Sequence, residues 1–338
     1  MHKISKPIVS GLFGRLLLAL ALTLLTSFYS HVAAESGLFH EYPTVKNVPM
    51  PARVLKFPTN ISVGGIAVLD KAYYSLDDIS GDITDRSINR KAQGTIAIPP
   101  NKFVAFFPNH NFIRSPHLLD ALPANSFDFV LFRYMSMDSN EDKLGNPALA
   151  YLARFSSIRC LDLEKAEIND QGVKQLAPLV NLEFIALFST EIDGTFLKSL
   201  AGHKALRYVA VNNTGFKSSE LRYFTLLPNL ECLNISHLRL NDRDIEVLTG
   251  CKNLKWLALS SNPDITDGAV KTFALMPKLQ SLDLRETRFS NRALESLEKK
   301  GIALRGRKKS RLPAGHRKLR GNGGVEEIFA PFSRDRKI

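Results

Sequence analysis

Cysteine and tryptophan are scarce in this chain, with three of the first and one of the second in 338 residues. An odd and small number of cysteines excludes a disulfide framework as the basis of the fold. Long apolar runs are also lacking. Residues 16–25 form the longest near the N-terminus, and they fall short of the roughly 20 residues that a bilayer span takes. Catalytic signatures are missing: there is no zinc-binding H-E-x-x-H, no G-x-S-x-G elbow and no Gly-rich phosphate loop ending in Lys. The acidic run DDISGDITD at residues 77–85 lacks the spacing of an EF-hand loop. The eight histidines are scattered. The expectation is a non-enzymatic chain with no cofactor, no metal site and three free thiols.

A uniform excess of one charge is absent as well, despite a net charge of +12. The first 34 residues carry three basic and no acidic side chains. Residues 299–338 hold 13 Lys or Arg against three acidic residues. The 264 residues between them have 29 basic and 30 acidic side chains, so the body is neutral and the basicity belongs to the ends.

What the chain does have is a period. Units begin at Ile158, Leu182, Leu206, Leu230, Leu254 and Leu279, at intervals of 24, 24, 24, 24 and 25 residues. Self-similarity at that period indicates stacked units, a solenoid, in which each unit buries a face only against its neighbours. Each unit reads apolar-x-x-apolar-x-apolar, as in Leu182, Ile185 and Leu187. The last two of those positions alternate with outward ones, which is strand patterning. Apolar residues then recur at helical spacing, as in Val173, Leu176 and Leu179. The expected unit is one short strand and one short helix. Residues Asp170, Gly194, Ser218, Asp242, Asp267 and Asn291 form a column of expected helix N-caps. A second column, Ala166, Thr190, Thr214, Leu238, Asn262 and Thr287, has four members able to hydrogen-bond the turn backbone.

These repeats resemble leucine-rich repeats of the ribonuclease-inhibitor-like superfamily. The segment LKWLALSSNPDITDGAVKTFALMPKL is similar to the L-x-x-L-x-L-x-x-T/N-x-I-T-D-x-x-L-x-x-L pattern of short secreted bacterial members. The resemblance implies an α/β solenoid: a horseshoe with a parallel concave sheet, convex helices and protein binding on the concave side. Asn stands in the ladder column only at Asn262, with Thr or other residues elsewhere.

Four regions follow. Residues 1–34 read as a signal peptide, with Lys3, Lys6 and Arg15 before an apolar stretch and Val32-Ala33-Ala34 as a small-residue cleavage site. Residues 35–125 form an N-terminal lead and a β-containing cap. Within it VGGIAVLD reads as a strand, and residues 95–98 and 103–107 read as a hairpin around Pro99-Pro100-Asn101-Lys102. Residues 126–304 hold the repeats, one degenerate and six clear. Residues 305–338 are a basic tail of high Gly and Pro content, of the composition of disordered segments.

The third position of each unit faces out of the concave sheet and runs Cys160, Phe184, Tyr208, Cys232, Trp256, Ser281. Three of those six are aromatic, the type that dominates binding hot spots. Phe184, Tyr208 and Trp256, with Phe188 beside them, are therefore the candidate partner-binding residues, expected as an exposed stripe. The opposing reading is that the rings pack on one another. The second position alternates in charge, Arg159, Glu183, Arg207, Glu231, Lys255, and is expected to form cross-strand pairs.

The function expected is an exported protein, periplasmic, envelope-associated or extracellular, that binds a protein ligand through its concave face. The alternative is a structural envelope component held to an anionic surface by its basic tail. Nucleic acid is not an expected partner, because the tail has no aromatic residues among its basic ones for base stacking. No transmembrane segment is expected in the mature chain.

Overall fold

The computed structural model describes residues 50–70, 89–133 and 144–305. The expected signal peptide, the acidic run at 77–85 and the basic tail beyond Arg305 lie outside the described residues.

The 24-residue period appears as a ladder of three-residue strands. They are β6 (Phe129–Leu131), β7 (Cys160–Asp162), β8 (Phe184–Ala186), β9 (Tyr208–Ala210), β10 (Cys232–Asn234), β11 (Trp256–Ala258), β12 (Ser281–Asp283) and β13 (Ala303–Arg305). Each pairs in parallel with the next, so Cys160, Phe184, Tyr208, Cys232, Trp256 and Ser281 stand side by side across the sheet. β6 pairs in parallel with β7 and extends the ladder one unit toward the N-terminus. Each short strand suffices because its second residue is locked from both sides. Val130, Leu161, Ile185, Val209, Leu233, Leu257 and Leu282 form one column, all with no exposed surface.

Short helical segments return the chain from one strand to the next. Among them are α2 (Gly145–Leu152), α3 (Asp170–Lys174), α4 (Val270–Ala274) and α5 (Asn291–Lys299), with α1 (His110–Arg114) preceding them in the N-terminal region. In the middle units the segments 195–200, 218–226 and 244–250 are 3-10 turns rather than α-helix. Their apolar side chains, including Leu197, Leu221, Phe224, Ile245 and Leu248, join the strand column in one core.

After each strand the backbone takes a left-handed turn at Lys165, Ser189, Asn213, His237, Ser261 and Glu286, with φ between 54° and 59°. Side chains other than glycine adopt this region at a cost. In five of the six the turn residue's N–H donates to a carbonyl in the next unit, for example Lys165 to Phe188 at 2.7 Å and His237 to Ser260 at 2.9 Å. The turn geometry thus serves the stack.

The expected N-cap column does something else. The caps of α3 and α5 are Asn169 and Ser290, each one residue earlier than expected. Of the expected column, Gly194 holds a cap position, in the left-handed conformation at φ 101°. Asp170 instead accepts hydrogen bonds from the N–H groups of Asp193, Gly194 and Phe196 in the following unit, at 2.6, 3.1 and 2.8 Å. Asp242 accepts from Thr266 at 2.7 Å and Asp267 from Ser290 at 2.7 Å. A carboxylate placed at the same point of each unit reaches the start of the next helical segment, so these residues bind unit to unit.

The second column behaves as expected. The Thr190 and Thr214 hydroxyls donate to the carbonyls of Leu187 and Val211 at 2.8 and 2.7 Å. Asn262, with no exposed surface, donates to Ile235 and Leu259 and accepts from the N–H groups of Leu238 and Leu240. It therefore fastens two units at once.

The N-terminal region continues the same sheet with a change of direction. β5 (Phe103–Pro108) runs parallel to β6 and antiparallel to β2 (Gly64–Leu69), and β2 pairs with β3 (Asn89–Lys91). β1 (Arg53–Lys56) and β4 (Thr95–Ile98) form a separate antiparallel pair. The expected hairpin between the 95–98 and 103–107 strands is thus corrected. Both strands exist, but β4 pairs with β1 and β5 with β2, since the turn carries the chain from one sheet to the other. After β5, α1 (His110–Arg114) starts at the Asn109 cap and buries Phe112 and Ile113.

Arg53 ties the small sheet to the large one. Its guanidinium donates to the Asp128 carboxylate at 2.9 Å and to the carbonyls of Asn125 and Lys102. Asp128 also accepts from the Val104 N–H at 2.8 Å. Both side chains are buried, so losing either would strand the other's charge.

Candidate functional site

The sheet has two faces because alternate residues of each strand point to opposite sides. On the face away from the helical segments lies a second apolar cluster, separate from the core. Its members include Phe103, Phe129, Leu131, Cys160, Phe184, Ala186, Tyr208, Ala210, Trp256 and Ala258, all from strands. Two columns compose it. One is the ring column of the third positions. The other, two residues on, reads Leu131, Asp162, Ala186, Ala210, Asn234, Ala258, Asp283, Arg305.

The rings of Phe184 and Tyr208 stack at 4.2 Å with their planes 6° apart. Tyr208 and Trp256 lie 6.3 Å apart at 12°, although two strand steps separate them. Two steps amount to about 9.6 Å of backbone, so both rings lean toward Cys232, the residue between them in the register. Phe103 and Phe129 continue the aromatic surface toward the N-terminus at 5.7 Å.

This geometry corrects the expectation of an exposed stripe. Phe184, Tyr208 and Trp256 are 5, 7 and 7% exposed. The alternation identified their face correctly, but rings in successive units of a parallel ladder lie close enough to stack. Phe188 is half-buried, and the Lys165 ammonium sits 6.0 Å from its ring centre. It belongs to the next column outward and is not part of the ring stack.

The ends of the alanine column are charged, a feature that the sequence reading did not single out. Arg133 donates to Asp162 at 2.9 and 3.3 Å and to Glu164 at 2.9 Å. Burial pushes the Asp162 carboxyl up to about 7; the Glu164 charge adds to the rise, while Arg133 and the Glu164 N–H oppose it. At the other end Arg285 donates to Asp283 at 2.9 and 2.6 Å, with Arg305 at 4.0 Å. A search for acidic and basic residues at column ends, once the 24-residue register was laid out, would have found both.

The second-position residues pair across the strands as expected: Arg159 with Glu183, Arg207 with Glu231 at 3.5 Å, and Lys255 with Glu231 at 2.9 Å.

The three cysteines form no disulfide, and Cys160 and Cys232 stand three strand steps apart, too far to bridge. Burial lifts the Cys232 and Cys251 thiols to about 12, and that of Cys160 well above its usual value. A thiol held protonated is a poor nucleophile. Among the described residues no group of three His, Cys, Asp or Glu could hold a metal ion. Among the same residues no helix is long and apolar enough to cross a membrane.

Comparison with known proteins gives two family matches, both described as leucine rich repeat, at residues 228–289 and 156–177. Among solved structures the chain is similar to an internalin C2 of Listeria monocytogenes strain 4b F2365, at 20% identity and a TM-score of 0.37. That match covers 46% of this chain and 72% of the other. An internalin F of the same strain matches at 15% identity and a TM-score of 0.34, covering 48% of this chain and 58% of the other. No curated protein matches the chain.

Proposed function

We propose that this chain, which carries leucine rich repeats at residues 156–177 and 228–289, is an exported, non-enzymatic binding protein that holds a protein partner against the concave face of its sheet. One observation carries the proposal: the second apolar layer. A repeat fold needs one core, and the column from Val130 to Leu282 supplies it. Nothing in the stacking of units requires a further aromatic column on the opposite face. Aromatic side chains gathered on a face outside the core are the residue types that dominate binding hot spots.

The roles fall to Phe184, Tyr208 and Trp256 as a stiff, prestacked column and to Phe188 at its border. A stacked ring has few rotamers left to lose, so little side-chain entropy opposes association. The thiols and scattered histidines take no chemical part in this reading.

The test uses the full chain as bait in native envelope extract, with a Tyr208→Leu/Trp256→Leu variant in parallel. Leucine keeps the buried positions apolar, which separates lost contact from lost fold. A discrete protein held by the wild type and lost from the variant, with both baits folded by circular dichroism, supports the concave-face reading. Equal capture of anionic lipid or polymer by both baits, released by salt, would transfer the function to the basic tail. The tail's charge of 11 basic against three acidic residues is what favours that second reading.

A further inference from the structure

The apolar layer on the concave face is buried more deeply than a bare sheet allows. Ala186, Ala210 and Ala258 are 3, 3 and 2% exposed, and Ser281 and Asp283 are 1 and 2% exposed. Stacking shields the faces of the Phe184, Tyr208 and Trp256 rings, but not the methyl groups two residues further along each strand. Alternate side chains of a strand point out of the sheet, so these methyls meet water unless something lies over them. The helical segments pack on the opposite face and are not the cover. Among the described residues, one member of the concave cluster is not on a strand, and that is Met50. Its N–H donates to the Asn101 side chain and its carbonyl accepts from the Asn101 N–H, both at 3.0 Å. A few residues later Arg53 reaches Asp128 and Leu55 enters the main core. Between Met50 and Leu55 the chain therefore crosses from the concave side of the sheet to the core side.

We propose that residues 35–49 of this chain lie along the concave face, from Met50 toward β12, as a strap that a protein partner has to displace. The cover stands on the burial and on Met50 alone; its bearing on binding rests on the concave-face reading. The segment ESGLFHEYPTVKNVP carries Phe39, Tyr42, Val45 and Val48 at intervals of three, with Pro43 and Pro49 beside them. The prolines disfavour a helix and favour polyproline II, which has three residues per turn and rises about 3.1 Å per residue. The four apolar side chains then share one face at a spacing of about 9.3 Å. Alternate strands of the sheet are about 9.6 Å apart, nearly the same repeat. From Phe39 to Val48 the strap spans about 28 Å, and the six strand steps from β6 to β12 amount to about 29 Å. Each proline also lacks an N–H that apolar surroundings would leave unsatisfied.

The basic tail is the poorer cover. It leaves from β13, at the end of the ladder away from Met50, and carries eight Lys or Arg from Arg305 onward before its first phenylalanine, Phe329. Laid on methyls and rings, those charges would lose their water without gaining partners.

The experiment reads acrylamide quenching and emission of Trp256, the only tryptophan, in the full chain and in chains lacking residues 1–34, 1–48 or 306–338. Trp256 should be protected in the full chain and remain so without 1–34 or without 306–338. Without 1–48 its quenching constant should rise severalfold and its emission should move to the red, with the circular dichroism of the repeats retained. Tyr42→Ser/Val45→Ser in the full chain should shift both readings the same way, which keeps the test decisive where the truncated chain does not fold. Four results would each overturn the strap: Trp256 open to quencher in the full chain, protection kept in a folded chain without 1–48, protection lost on removing 1–34 or 306–338, or no change in the serine variant. A partner captured through Tyr208 and Trp256 should be held more tightly once 1–48 is removed, because the strap no longer competes. If the strap falls and capture still depends on those rings, the concave-face reading stands. If Trp256 behaves as expected but no ring-dependent capture is found with or without 1–48, the concave-face reading falls and the strap is part of the fold.

Discussion

Leu257 and Trp256 are neighbours in β11 and point to opposite sides of one sheet. The Leu257 side repeats itself: seven strands offer Val, Leu, Ile, Val, Leu, Leu and Leu, all without exposed surface and all packed on helical segments. The Trp256 side does not repeat. It runs Phe129, Cys160, Phe184, Tyr208, Cys232, Trp256, Ser281, Ala303, and the buried members of its cluster all come from strands. Stacking of identical units dictates the first column, because each side chain must fill the same space between the same neighbours. The second column is free of that demand, so its composition is available to define a partner.

The sharpest way to break this comparison is to truncate the two neighbours separately. Leu257→Ala should lower stability by about 3–5 kcal/mol, the upper part of the range for a buried leucine in a core that cannot collapse. Trp256→Leu should cost about 1–2 kcal/mol, mostly the lost ring stack with Tyr208. Urea denaturation of the two variants reads both values. Equal losses would mean that the concave layer is a second core and not a surface held ready.

A smaller effect separates the two charged ends. The folded state holds the Asp162 proton more tightly than an ordinary carboxyl, with a value of about 7 against an unfolded value near 4. Between those two pH values the native chain binds more protons than the unfolded one. The contribution is therefore fully present below about pH 4 and is lost as pH rises through 7. Asp162→Asn should remove this slope and gain on the order of 2–4 kcal/mol relative to wild type at pH 8 compared with pH 4. An amide fits the site, since Asn234 in the same column accepts from the Ser236 N–H at 3.1 Å as Asp162 does from Glu164 at 3.0 Å. Thermal melts of both proteins between pH 4 and 8 measure the difference. Parallel curves would show that Arg133 holds Asp162 ionised throughout.

The two faces were not equally legible in the sequence. The core face followed from Ile185, Leu233 and Leu257 alone, because period-2 alternation within a 24-residue repeat leaves one arrangement. The face of the ring column was legible for the same reason, yet its burial was not. Alternation gives the side on which Phe184 and Tyr208 lie but not whether their rings lean together. Asp170 misled in a related way. A favoured cap residue at the start of a helical segment was assigned to its own unit, while its carboxylate reaches the amides of the next. Residues 95–98 and 103–107 show the local version of that failure. Two strands joined by a Pro-rich turn suggest a hairpin, and longer-range pairing with β1 and β2 prevails. In each case the residue type was right and the partner was non-local.

The smallest expected effect concerns the charge ladder that borders the concave face. Glu231 meets Arg207 at 3.5 Å and Lys255 at 2.9 Å, and the cationic side chains are about two-fifths exposed. Water therefore screens both contacts, and each should contribute well under about 1 kcal/mol. Arg207→Gln should cost less than about 0.5 kcal/mol, and Glu231→Gln somewhat more, because one carboxylate serves two partners. Both losses should disappear in 1 M salt, where the screening length shrinks to about 3 Å. The backbone explains why so little is at stake. The Glu231 N–H already donates to Arg207 at 2.9 Å and the Lys255 N–H to Glu231 at 2.8 Å, so the main chain fixes the register before the side chains meet. A loss of several kcal/mol in Glu231→Gln that survives high salt would contradict this and move the ladder from the border of the binding face into the fold itself.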